Sequence, residues 1–251
     1  MALMQITQKV LNRVEEISGR PMIVQADPAV PMAMAIMARG PAPAHLLKYN
    51  PSSEATVDYI VCFQAGFILR KFATQESERV DLQTSVRGQK EADSVFTQHF
   101  KKTGLTLPHP VRAQMYDGLI VQLRSMPIAM RVETWLRRDC PELIDQQKAS
   151  NARQMNDNAT CLLPQVRQLT PAKILHANVA MNAAFARFWS RMWDDPTLVV
   201  PYKSTGNLAD GDALLKLLDE TPDNPANDQR LIEAWGEYLH LGGWYDFVPN
   251  S

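Results

Sequence analysis

The chain has 251 residues, 45% of them hydrophobic and 21% charged, with a formal net charge of −1. That length is enough to bury a substantial core, and the near-zero net charge supplies no global field to recruit nucleic acid or an anionic membrane. No run approaches the roughly 18 apolar residues of a membrane span.

Three cysteines, Cys62, Cys140 and Cys161, lie far apart and form no C-x-x-C pair, which argues against a structural zinc knuckle. Free thiols in a reducing compartment are expected. Residues 1–19 are polar and helix-periodic rather than a charged stub with an apolar run, so no signal peptide is read and the expected location is the cytoplasm. Charge is unevenly spread. Residues 101–191 hold 13 Lys/Arg against 6 Asp/Glu, and residues 205–240 hold 2 against 8. Two solvated faces that attract each other account for this; a basic docking surface is the competing account.

Taken in order, Ile6, Val10, Val14 and Ile17 recur at helical spacing before Gly19, which predicts a first amphipathic helix over 4–18. Residues 21–25 read as a short strand. Residues 31–38 alternate Met and Ala and fit strand or helix, and 39–43 form a Pro/Gly link. His45-Leu-Leu-Lys-Tyr49 reads as a strand at a sheet edge, because prolines bracket it. Ser52 or Ser53, with Glu54 in the first turn, is expected to cap a central helix running to Phe72 that is apolar nearly all round and therefore buried.

A polar loop is expected over 74–89, then helices over 89–102, 110–124, 127–138 and 141–163, separated at Leu107-Pro108, Met126-Pro127 and Cys140-Pro141. Thr170-Pro171 opens a helix to Trp193 whose alanine-rich face lets another helix approach closely. Asp210 starts a helix to Leu218, Asp228 one to Leu239, and 242–247 form an aromatic tail. No internal repeat is visible. The expected class is α+β, predominantly α-helical: an α+β part over 1–75 holding the central buried helix, then a helical body over 76–251.

The chemistry-bearing motifs are sparse. The five histidines have no metal spacing among themselves, and neither a Gly-rich phosphate loop nor a G-x-S-x-G elbow occurs. Gln64, in an apolar helix, must find hydrogen-bond partners or cost a few kcal/mol. His45, near the turn at Arg39-Gly40, is the most site-like histidine.

One frame stands out on the central helix: Phe63-Gln64-Ala65-Gly66-Phe67. A short helix, a few strands, then a buried helix with a motif in that frame resembles the ImmA/IrrE-like branch of the zincin metallopeptidases over residues 1–73. In such enzymes the frame reads H-E-x-x-H, with two histidines on zinc and a glutamate activating water. Phenylalanine offers zinc no lone pair and Gln64 cannot act as general base, so the resemblance implies a degenerate scaffold without metal or cofactor. A third ligand in these families is often a glutamate on a later helix, and Glu133 is the residue available for that place.

The expected function is thus a non-catalytic, metal-free interaction or regulatory module binding another protein. Its groove would run along the 45–49 strand, with His45, Tyr49, Gln64, Arg124 and Glu133 as binding residues. An enzyme of another class with a pocket of Gln64, Arg124 and Glu133 is the first alternative. A nucleic-acid-associated protein using 101–191 is the second.

Overall fold

The structure, a computed structural model, describes residues 3–30 and 33–249. It is predominantly helical, with a strand-containing N-terminal part followed by a helical body. The chain forms two units: one of residues 1–79, 131–153 and 249–251, the other of 80–130 and 154–248. The first thus takes in 131–153, which the sequence groups with the helical body.

In the first unit, helix α1 (Gln5–Ser18) ends at Gly19, whose φ of 71° places it in the left-handed region that glycine enters most easily. Strands β1 (Met22–Ala26), β2 (Ala33–Ile36) and β3 (His45–Tyr49) follow, then α2 (Val57–Phe72). β1 pairs parallel to β3 from Met22↔His45 to Ala26↔Tyr49, and β2 pairs antiparallel to β3 from Ala33↔Tyr49 to Ile36↔Leu46. The order β1-β3-β2 makes β3 the central strand, not an edge. The bracketing prolines, Pro43 and Pro51, lie outside the strand. All five of its residues therefore keep their N–H groups for ladders on both sides.

Residues alternate along β3, with His45, Leu47 and Tyr49 buried and Leu46 and Lys48 half-buried. The buried face joins Val10 and Val14 of α1 and Val57, Ile60, Val61 and Ile68 of α2 in one apolar core. Asp58, at the start of α2, ties the two helices together: its carboxylate accepts from the N–H of Met4 at 2.7 Å and from the hydroxyl of Thr7 at 2.6 Å. An anion thus sits at the start of α1, where free N–H groups and the helix dipole favour it. The expected Ser52/Ser53 cap is absent; a 3-10 turn over Pro51–Thr56 leads into α2.

In the second unit, the expected 74–89 loop contains β4 (Val80–Thr84), and α3 (Val86–Thr103) starts at Ser85, whose hydroxyl accepts from Gly88 N–H at 2.8 Å. The aromatic tail becomes β5 (Tyr245–Pro249), paired with β4. The expected break at Met126-Pro127 does not occur. Helix α4 (His109–Asp139) runs through it. Proline in a helix removes one hydrogen bond and clashes with the preceding turn, at about 3 kcal/mol. Burial of Met126, Ile128, Ala129 and Met130 around Pro127 offsets that cost.

The expected 141–163 helix is α5 (Ile144–Ala159) between two 3-10 turns, and a short α6 (Pro164–Leu169) follows. Helices α7 (Ala172–Trp193), α8 (Leu208–Glu220) and α9 (Asp228–Tyr238) complete the body. A Cβ on Gly211 would lie 2.8 Å from the Ala184 nitrogen, so α8 does meet the alanine-rich face of α7 at close range. Among the described residues no helix is long and apolar enough to cross a membrane.

Candidate functional site

Three features of the first unit are candidates for chemistry or recognition. The first is a buried polar knot. Glu133, 1% exposed, projects from α4. Its Oε1 accepts from the Tyr59 hydroxyl at 2.5 Å and from Asn151 Nδ2 at 3.2 Å, and its Oε2 accepts from Gln147 Nε2 at 2.7 Å. Asn151 Nδ2 also lies 3.1 Å from Tyr59 Oη.

Tyr59 comes from α2, while Gln147 and Asn151 stand one turn apart on the same face of α5. Burial pushes the Glu133 carboxyl up to about 7, and the three donors pull the other way without overcoming it. Tyr59 is likewise pushed well above its ordinary value, by burial and by the neighbouring carboxylate. Such a carboxyl could exchange a proton near neutrality. Glu133, Tyr59, Gln147 and Asn151 are all buried, however, so the carboxyl presents no open face to a substrate.

The second feature is an aromatic ladder on α2. Tyr59 stacks on Phe63 with ring centroids 5.8 Å apart, and Phe63 meets Phe67 edge-on at 5.3 Å. The three rings stand at i, i+4 and i+8 on one helix face, so the frame at 63–67 and the Glu133 knot are neighbours. Phe63, Gln64 and Phe67 are half-buried. Solvent therefore reaches Gln64, and the expected internal partner is not required. Gly66 lies against α4: a Cβ there would stand 2.5 Å from Val132 Cγ1 and 3.3 Å from the Trp135 ring.

The third feature is the outer face of the sheet. Ile23, Leu46 and Ile36 are register partners across β1, β3 and β2, and Gln25, Lys48 and Met34 form the next row. Ile23 is 47% exposed, Ile36 49% and Met34 44%. Lys48, the only charged side chain in these rows, is paired with Asp27 at 2.9 Å. The opposite face of the same sheet lies in the core.

The predicted residues fall unevenly on these features. His45 is buried and bonded on both ring nitrogens: Ala38 N–H donates to Nδ1 at 3.0 Å, and Nε2 lies 3.0 Å from Ser18 Oγ. A backbone N–H can only donate, so Nδ1 is unprotonated and the proton sits on Nε2. Burial, with a smaller contribution from Arg20, lowers its pKa. Tyr49 is a core residue. His45 and Tyr49 therefore do not line a groove. Arg124 is exposed and falls in the second unit, whereas Gln64 and Glu133 belong to the first.

Sequence reasoning missed Ile23, Met34, Leu46 and Ile36, whose signal was period-2 alternation in strands with an apolar residue on both faces. It also missed Gln147 and Asn151, whose i, i+4 spacing looks like any solvated helix face.

Among the described residues no group of three His, Cys, Asp or Glu side chains is placed to hold a metal ion. Cys62 and Cys140 are buried free thiols, pushed by burial to about 12 and about 11. Neither is a nucleophile near neutral pH. No protein-family model, curated protein or solved structure matches this chain.

Proposed function

We propose that the chain is a non-catalytic protein-interaction module whose docking surface is the open face of the three-stranded sheet. The observation that carries this reading is the row Ile23–Leu46–Ile36 with Met34 beside it, left half in water while the other face of the same sheet is packed. Aliphatic side chains gain about 25 cal/mol for each Å² removed from water, and clustered exposure of this kind marks an interaction site.

The groove expected along β3 is replaced, because both edges of that strand are paired. The degenerate zincin-like scaffold belongs to the same proposal: it is supported by rings at 63 and 67, where the resemblance would put zinc-binding histidines, and by a later-helix glutamate engaged by Tyr59. An enzyme using Glu133 is disfavoured by its sealed surroundings. Nucleic acid is disfavoured at this face because Lys48, the cation in these two rows, is already paired. Free cysteines fit a reducing, cytoplasmic setting.

A photo-cross-linking amino acid in place of Ile36, with Arg124 as the control position, tests the reading in cells. A discrete protein adduct from position 36 and none from 124 is expected. No adduct at 36, or the same adducts at both positions, would overturn it.

A further inference from the structure

We infer that the occupant of this sheet face is a single amphipathic helix of about three turns from a partner protein, lying over β3 with aliphatic residues on its buried side. This rests on the proposed docking face and names what covers it.

Three geometrical facts select the helix. Strands about 4.8 Å apart give a three-stranded face about 10 Å wide, the diameter of one α-helix. The five residues of β3 extend about 17 Å, the length of about 11 helical residues. The apolar residues also span all three strands, from Ile23 on β1 to Ile36 and Met34 on β2. A peptide strand added to the outer edge of β2 would lie beside Met34 and Ile36 and leave Ile23, two strands away, uncovered. A helix over the middle strand reaches both sides at once.

Area disfavours a second copy as the occupant. The half-exposed aliphatic groups amount to on the order of 300 Å², the size of a functional patch on a monomer but well short of the roughly 800 Å² per partner of a stable interface. Layering points the same way. The sheet already carries α1 and α2 on one face, and a helix on the other completes the arrangement in which a sheet hides both faces. Lys48 is held by Asp27, so the middle of the face demands no charge from the helix beyond a polar residue beside Gln25 and Lys48.

The test uses the purified full chain and two displayed peptide libraries of equal composition. One carries leucine at i, i+3, i+4 and i+7; the other alternates leucine with polar residues. Enrichment from the helical library is expected. Binding of the selected peptides should weaken about tenfold in Ile23→Asp and again in Ile36→Asp, with far-ultraviolet circular dichroism unchanged. Met34→Lys, on the same face, provides the readout should an aspartate variant unfold.

Enrichment from the alternating library, with binding still lost in the variants, would overturn the helix while leaving the docking face intact. Binding indifferent to all three substitutions would overturn both. Enrichment from neither library would also overturn the inference.

Discussion

The hydroxyl of Tyr59 donates to Oε1 of Glu133 at 2.5 Å across a sequence separation of 74 residues. This joins α2 to α4 at a point from which solvent is excluded. Asn151 and Gln147 add α5 to the same carboxyl. Removing the hydroxyl in Tyr59→Phe leaves a buried carboxyl oxygen short of a donor. A loss of about 1–3 kcal/mol in urea unfolding is expected. Loss of less than a few tenths would mean the knot contributes little.

The same carboxyl makes stability depend on pH in an unusual direction. Glu133 has a folded value of about 7, against about 4.5 for an ordinary glutamate. Between those values the folded chain holds a proton that the unfolded chain has released. Stability from this group is therefore fully present below about pH 4.5 and is lost as pH rises to about 7, by on the order of 3 kcal/mol at most. Glu133→Gln cannot titrate. The stability difference between the native sequence and Glu133→Gln should fall steadily from pH 5 to pH 7.5 in urea titrations; a flat difference would refute it.

His45 works in the opposite sense. Its folded value lies below the ordinary 6.5, because protonating the ring would bury a charge and forfeit the Ala38 N–H bond to Nδ1. Its contribution is complete above about pH 6.5 and is lost as pH falls through the folded value. Thermal unfolding of His45→Gln should show less acid sensitivity between pH 6.5 and 5 than the native sequence. Equal sensitivity in the two proteins would exclude His45 as a source.

Gly66 sets how closely α2 and α4 approach. A methyl group in Gly66→Ala would overlap Val132 Cγ1 at 2.5 Å and crowd Trp135. Overpacking of this kind costs about 1–3 kcal/mol, more than the gain in helix propensity from glycine to alanine. A lowered melting temperature is expected. Gly66→Ala combined with Val132→Ala should recover part of the loss if the clash is the cause.

The proposed metal-free scaffold predicts that the purified chain, dialysed without chelator, carries no stoichiometric zinc by elemental mass spectrometry. Phe63 and Phe67 offer no ligand atom, and among the described residues no other three ligands converge. About one zinc per chain would reject the proposal.

Much of the fold was legible because it rests on local chemistry. The 3.6-residue period of Ile6, Val10 and Val14, the stop at Gly19 and the largely apolar run of α2 each follow from short-range propensity and burial. So does the alternation of His45–Tyr49 as a strand. The failures have local causes as well. Pro127 reads as a break, because its cost is local while the burial that offsets it is not. β4 and β5 escaped notice because each is a half-exposed strand whose reason to form is the other, 160 residues away in the chain.

The candidate site was less legible. The sequence by itself determined that the frame at 63–67 lacks zinc ligands and Gln64 lacks a base, since those are properties of residue type. It also determined that Glu133 is the carboxylate available on a later helix. Only the tertiary structure decided that β3 is central and that His45 and Tyr49 are core. It alone showed that Tyr59, Gln147 and Asn151 are the partners of that carboxyl. Strand order is set by which strands share long-range hydrogen bonds, and which face of a three-stranded sheet stays open is set by where α1 and α2 pack. Neither quantity is carried by any one stretch of chain, so the row Ile23–Leu46–Ile36 becomes a surface only once the three strands are side by side.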